Sequence, residues 1–427
     1  MNRLIDTTAE FCYNVPIVKG VISMRTKLWN KDFILLLQGS AVSIIGDLMY
    51  SVAIGYWVYA QTGSSSLMGL MSSISMFVTM FLSPFSGSII DKCNRKWVMA
   101  GLDTMQGILM ITVGIFAHMN ALSVPGVLVV ALLAALGGVF YNPAVSTLLI
   151  DIIPHDHMVQ GQSIFSGVNG LINMAGSALS GAMVAFFGVP LIVILNGLSN
   201  LYSAISILFI DVPKTVQQGQ AVTVGGILRD SKTAVKTIFS DPFLNLFIPC
   251  VLILNLLGAG PLTLALPFCM EKGFTVDMYG LMMSVYTAAH LICVVLLGVI
   301  SLTPKARYWI LSLCFTASVP LFTIAYLADD FIIVCVFMFL SAFTNAAGNA
   351  VFNSCLMLAL PEENRGAILG FIQSASTGGT ALSAVIYGIL GDIFPLYLVF
   401  VAGSLLSLPP MLYMCFHPKT KGFVLTH

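Results

Sequence analysis

Apolar runs of 18 or more residues recur along this chain from residue 33 to residue 416. As a helix, each is long enough to cross the ~30 Å hydrocarbon core of a bilayer. In lipid every backbone N–H and C=O has to be satisfied within a helix or a closed barrel, and a barrel would show short alternating segments instead. Charge points the same way. Only 8% of the 427 residues are charged, against about 25% in a soluble domain, which is too few to clothe a hydrated surface. The expected fold class is an all-α polytopic membrane protein with 12 transmembrane helices in two six-helix bundles.

The expected spans are 33–60, 66–90, 97–119, 124–151, 160–187 and 190–211, then 242–269, 276–300, 308–328, 331–359, 366–391 and 395–416. The domains follow: a leader over 1–32, a first six-helix bundle over 33–211, a linker over 212–241, a second bundle over 242–416 and a tail over 417–427. Residues 1–23 hold no cleavable signal, because Pro16 and Lys19 break their short apolar stretch, and they are expected to be dispensable. In the linker, Ile227, Leu228, Ser231, Ala234, Val235 and Ile238 recur at helical spacing with the basic residues mostly off that stripe, as in a helix lying on the membrane surface.

With this span order, 17 of the 18 Lys and Arg fall on one side, Lys272 being the exception, while Glu271, Asp277, Asp329, Asp330 and Asp392 fall on the other. Basic loops stay in the cytoplasm, so both termini are expected there, in a bacterial plasma (inner) membrane. The halves also repeat each other. "AGSALSGAMVAFFG" (175–188) aligns without gaps to "GGTALSAVIYGILG" (378–391), and Pro154 and Pro361 each close the preceding span. A 6+6 repeat places a substrate site between the halves near the membrane midplane.

Charge gathers between spans 2 and 3, in "GSIIDKCNRK" (87–96). A polar turn there is expected on the basic side, but that alone does not require a Gly at 87 or an Asp at 91. The segment resembles the loop signature G-x-x-x-D-[RK]-x-G-R-[RK] of the major facilitator superfamily, with Gly87, Asp91, Lys92, Arg95 and Lys96 in place and Asn94 standing for the usual glycine. Asn tolerates positive φ, so the turn is expected to survive the change. The flanks "LLLQGSAVSIIGDLMYSVAIGYWVYAQTGSS", "AGLDTMQGIL" and "FYNPAVSTLLIDIIP" resemble the macrolide-efflux and siderophore-exporter-like branch over about residues 30–415. The resemblance implies the major facilitator fold and a cytoplasmic gate. In that gate Asp91 caps the start of span 11 near Gly366, and Arg95 pairs with Asp151. The alternative for Arg95 and Asp151 is two independent membrane-surface charges.

Three ionisable residues sit well inside spans: Asp47, Asp103 and His290. Such residues usually line a cavity or pair. Ser40, Ser43, Asp47 and Ser51 share one helical face, so Asp47 is expected to border the aqueous path, as a proton-coupling or substrate-contacting group or as a structural carboxylate bonded to a neighbouring helix. Asp103 is expected to serve the gate as a partner of Arg95 or Lys96. His290 reads as a proton relay or a core histidine. Asn169, Asn173, Ser177 and Ser180, Asn255, and Asn345, Asn349 and Asn353 recur at helical intervals and either line the cavity or bond helix to helix.

Absences narrow the function. There is no G-x-x-x-x-G-K-[ST], no H-E-x-x-H and no G-x-S-x-G, so an enzyme, an ATP-driven pump and a resident cofactor or metal are not expected. No basic patch suits nucleic acid. No Lys or Arg lies deep in any span, which argues against substrates that need an arginine clamp. The lack of a base in span 4, and "GSALSG" (176–181) without the proline usual in span-5 antiporter motifs, argue against proton antiport. The 22 methionines suit an adaptable surface or serve as apolar filler. The expected protein is a secondary active transporter, a monomer in the lipid bilayer, exporting hydrophobic or amphiphilic, macrolide-like molecules against protons. An uncoupled facilitator or importer is the alternative, and a transporter-like receptor or scaffold the remote one.

Overall fold

The computed structural model describes residues 28–90, 93–154, 157–211, 236, 239–240, 244–300, 303–359 and 365–426. Residues 1–27 of the expected leader, including the stretch 1–23 expected to be dispensable, and all of the linker helix but Lys236 lie outside these residues. The first half contains α1 (Lys31–Thr62), α2 (Ser65–Ile90), α3 (Arg95–His118), α4 (Val124–Ile152) and α5 (Met158–Leu208). The second contains α6 (Leu244–Gly258), α7 (Gly260–Thr263), α8 (Ala265–Glu271), α9 (Val276–Val299), α10 (Pro304–Trp309), α11 (Phe315–Leu327), α12 (Phe331–Ala359), α13 (Arg365–Ile393), α14 (Leu396–Phe416) and α15 (Pro418–Thr426). A π-helical turn, Ile310–Cys314, joins α10 to α11.

Local chemistry starts and stops these helices. Asn30 Oδ1 accepts from the Phe33 N–H at 2.8 Å, and Ser123 and Thr303 cap α4 and α10 in the same way. Asn94 caps α3, with its side chain accepting from Trp97 N–H and φ at −75°. This corrects the expectation of a left-handed turn: position 94 works here as an N-cap, for which extended backbone and an amide oxygen are what matter. Gly63, at φ 63°, ends α1. α5 doubles back at Gly188 (φ 72°, ψ 163°), just before Pro190. Both its ends lie together, since Gly161 abuts Leu28 and the Asp211 N–H donates to Asp32 at 3.0 Å.

Ten helices among the described residues are long and apolar enough to cross a membrane. The expected twelve add α13 and the first arm of α5, the two segments that carry the internal repeat. The rod from α6 to α8 breaks around Gly258, Gly260 and Pro261. Its freed backbone groups find partners on α13, where Ser383 Oγ accepts from the Gly260 N–H at 2.8 Å and the Tyr387 hydroxyl donates to the Leu257 carbonyl. This is how a broken helix is tolerated in lipid.

The ends of the bundle differ. One, the basic end, carries Lys31, Arg95, Lys96, Lys305 and Lys419; the acidic end carries Glu271, Asp329 and Asp392. At the acidic end a single apolar cluster joins Ile54, Val58 and Met68 of the first half to Leu264, Phe268, Phe274 and Phe400 of the second. At the basic end each half keeps its own core, with Phe33, Leu36, Met99 and Leu148 in one and Tyr308, Leu311, Phe315 and Met414 in the other. Two crossings bind the halves, α2 on α13 and the first arm of α5 on α9. A Cβ at Gly69 would lie 2.3 Å from the Ala384 carbonyl oxygen, and one at Gly181 would lie 2.2 Å from that of Val276. Only glycine permits these approaches.

Candidate functional site

A cavity of about 250 Å³ lies inside the first half. α1 contributes Ser40, Ser43 and Asp47, α3 contributes Asp103 and Gln106, α4 contributes Tyr141 and Asn142, and the two arms of α5 contribute Asn169 and Asn200. The amides of Asn196 and Asn200 face the Asp47 carboxylate. Ser43 donates to Asn200 Oδ1 at 3.0 Å, and Asn200 donates to Asn196. Gly46 makes this approach possible, because a Cβ there would meet Ser199 Oγ at 2.2 Å. Asp103 accepts from the Tyr141 hydroxyl at 3.4 Å, with Ser203 beside it.

Asp103 is therefore not placed at the gate, as expected from the sequence, but in the same cavity as Asp47. Eight residues separate it from Arg95, about 12 Å of rise and a rotated face, so the helix carries it past the charged turn to α4. Arg95 is buried and forms an ion pair with Asp151, while Lys96 Nζ donates to the Ile210 carbonyl at 2.7 Å, completing the C-terminal end of α5. Gly87 lies in the last turns of α2; Asp91 and Lys92 lie outside the described residues.

A second cavity, about 290 Å³, lies inside the second half. Its polar lining is Asn255, Asn345, Asn349, Ser318, Ser404 and Ser407, and its aromatic lining is Tyr286, Phe315, Phe322, Tyr326 and Phe352. None of its lining residues is Asp, Glu, Lys, Arg or His. Asn349 donates to Asn345 Oδ1 at 2.8 Å, holding both amides on one face of α12. Between the halves, beneath the acidic-end seal, a third cavity of about 460 Å³ is lined by Ser51, Met68, Met71, Ser72, Ser75 and Met76 from one half and Leu262, Thr263, Leu266 and Tyr279 from the other.

The remaining expected residues scatter. Ser51 lines the cavity between the halves, with its hydroxyl donating back to the Leu48 carbonyl. Asn173 is exposed and bonds the Asn169 carbonyl, Ser180 is buried and bonds its own helix, and Asn353 is exposed on α12. Nothing is described of the Ser177 side chain. His290 stacks near Tyr286, ring centroids 5.8 Å apart, with a buried Nδ1 that has no partner among the described residues. Sequence reasoning passed over Asn196, Asn200 and Ser203, although their spacing of four and three residues puts them on one face, and over Tyr141 and Tyr286, which look like core aromatics within an apolar run.

At the acidic end Asp392 reaches across from α13 to the start of α2. It accepts from the Ser64 hydroxyl at 2.8 Å, from the Ser65 N–H at 2.6 Å, and from both the N–H and the hydroxyl of Ser66. A carboxylate of one half thus caps a helix of the other. Asp392 lies just past the span expected to end at 391. Burial pushes its carboxyl upward, but these hydrogen bonds together outweigh that and hold it below its ordinary value.

The model of the Major Facilitator Superfamily matches residues 36–268 and 250–422. The chain is 20% identical over 194 residues to macrolide efflux protein A of Streptococcus pyogenes, covering 45% of this chain and 48% of that protein. It thus spans about half the length of that relative. An uncharacterized MFS-type transporter of Bacillus subtilis, YfiS, is 24% identical over 392 residues, covering 88% of this chain and 91% of the relative. Among solved structures, the nucleoside transporter NupG superposes with a TM-score of 0.70 at 13% identity, covering 90% of this chain and 98% of that one.

Proposed function

This chain belongs to the major facilitator superfamily, and on that premise we propose that it is a secondary active exporter of hydrophobic or amphiphilic small molecules, coupled to protons through Asp47. The proposed topology has twelve spans, α13 and the first arm of α5 included, with the basic end and both termini in the cytoplasm. The arrangement described above is then an inward-facing one, sealed toward the outside by the acidic end. Gate and seal act on the same pair of helices. Arg95 and Asp151 set the geometry of the charged turn for the opposite, outward-facing state, where Asp91 caps α13 near Gly366.

One observation carries this reading: Asp47 sits mid-helix in a polar cavity whose lining holds no Lys, Arg or His. A bare carboxylate at such depth costs ~3 kcal/mol or more. A proton arriving and leaving during the cycle removes that cost in one state and restores it in the other. The uncharged aromatic and amide cavity of the second half supports an amphiphilic substrate, and the methionines of the cavity between the halves support tolerance for several shapes. The efflux protein of Streptococcus pyogenes supports the outward direction. The lack of a base in span 4 (124–151) favours the second reading, an uncoupled facilitator or importer. Collapsing the proton gradient with an uncoupler separates the two: coupled efflux of a labelled amphiphile stops, whereas uncoupled movement continues at its former rate.

A further inference from the structure

The first-half cavity holds two carboxylates, not one, together with neutral oxygens that lack a well-formed hydrogen bond. Asp47 and Asp103 both line it, and no cationic side chain does. Ser40 Oγ and Asn169 Oδ1 line it too, both buried and without a well-formed hydrogen bond among the described residues, the Tyr141 hydroxyl lying beside Ser40. Ser40 is only 5% exposed. Poorly bonded polar atoms at this depth cost free energy, and two like charges in one cavity of about 250 Å³ repel each other. A single proton on Asp47 would leave Asp103 and both of these oxygens as they are.

We propose that this cavity binds a hard inorganic cation through the carboxylates of Asp47 and Asp103, the Ser40 hydroxyl and the Asn169 carbonyl. The donor set is all oxygen, from carboxylate, amide and hydroxyl groups, the chemistry preferred by sodium and calcium and ill suited to soft transition metals. Among the described residues no group of three or more His, Cys, Asp or Glu could hold a metal ion, so the site rests on two carboxylates completed by neutral oxygens. Tyr141, whose hydroxyl donates to Asp103, orients that carboxylate. Because the ligands come from α1, α3 and α5, an ion here would tie the first half together as one rigid unit. The cation competes with protons for the same carboxylates, so this site rests on the reading of Asp47 as the coupling group.

The test is the thermal unfolding midpoint of the purified full-length protein in detergent. Sodium chloride is titrated against choline chloride at constant ionic strength, and calcium chloride is titrated separately after chelator treatment. A saturable, cation-specific rise is expected with one of the two ions. Its half-saturation point should move up by roughly tenfold or more in Asp47→Asn and in Asp103→Asn, as ligand charge is lost, and by less in Ser40→Ala. Should the carboxylate variants fail to fold, equilibrium binding of radiolabelled sodium and calcium to the wild type and to Ser40→Ala decides, with binding expected to fall as pH is lowered. No saturable, ion-specific response in the wild type, or half-saturation unchanged by the substitutions, overturns the site. Uncoupler-sensitive efflux with no cation response would refute the cation site and leave proton coupling standing. A cation response with uncoupler-insensitive efflux would do the reverse.

Discussion

The two halves each enclose a cavity of similar size, about 250 and 290 Å³, yet the cavities hold opposite chemistry. The first is built from carboxylates, amides and hydroxyls with two aromatic rings, Tyr141 and Phe165, among its lining residues. The second has amides, hydroxyls and five aromatic rings, and none of its lining residues is charged. A repeated architecture has thus been filled in two ways. On the proposed function, the difference keeps ion chemistry and recognition of a greasy substrate apart in one chain. A bare carboxylate in the aromatic cavity would be left desolvated when an apolar substrate filled it, and a wall of phenylalanine beside paired carboxylates would deny them donors. The crossings between the halves differ too: glycines on both helices, Gly69 on α2 and Gly388 on α13, allow close approach at one, and Gly181 on the first arm of α5 allows it at the other.

The largest expected effect breaks the first cavity. Asp47→Asn should cut gradient-driven transport by roughly tenfold or more, as expected when an intramembrane ionisable group is lost, with membrane insertion and protein level unchanged on blotting. Next comes the frame that holds the cavities in register. Gly181→Val puts side-chain atoms against the Val276 carbonyl and should destabilise the assembled halves by about 1–3 kcal/mol, read as a lowered unfolding midpoint. Substitutions in the second cavity should be milder and of a different kind. Asn349→Ala removes the partner that positions Asn345, and its loss of about 1 kcal/mol should raise the apparent KM several-fold while leaving uncoupler sensitivity intact. If Asn349→Ala changed coupling and Asp47→Asn changed affinity, the division between the halves would be wrong.

The smallest effect belongs to Asp392. Its carboxyl lies below the ordinary value of 3.8 in the folded protein. Its contribution is therefore fully present above that value and is lost as pH falls through the lower folded one. Between about pH 5 and 8, above both values, the acidic-end contact should be insensitive to pH. In stronger acid the wild type should lose stability that Asp392→Asn never had, measurable as converging unfolding midpoints. At neutral pH Asp392→Asn should raise the accessibility of a cysteine reporter placed in the cavity between the halves.

Much of this was legible in the residues alone, because lipid leaves so few options. Unbroken apolar runs led to helices, Asp47 stood out as a charge at mid-span, and Arg95 and Asp151 came together as the family resemblance implied. The cavities were harder to see. Asp103 was misplaced because distance along one helix says nothing of which neighbouring helix it meets. Asn94 was read by its tolerance of positive φ when its capping oxygen mattered. Asn196, Asn200 and Ser203 form a stripe that spacing could have revealed. Tyr141 and Tyr286 carry no such mark, since an aromatic in an apolar run looks the same whether it packs in a core or walls a cavity.

The division of labour between the halves is tested most directly by separating exchange from accumulation in vesicles loaded with the same labelled amphiphile. Exchange needs substrate binding and alternating access but no driving ion, whereas accumulation needs all three. Asp47→Asn should exchange substrate at close to the wild-type rate and fail to accumulate it. An Asp47→Asn protein that accumulates substrate as the wild type does, or that loses exchange and accumulation together, would contradict the account.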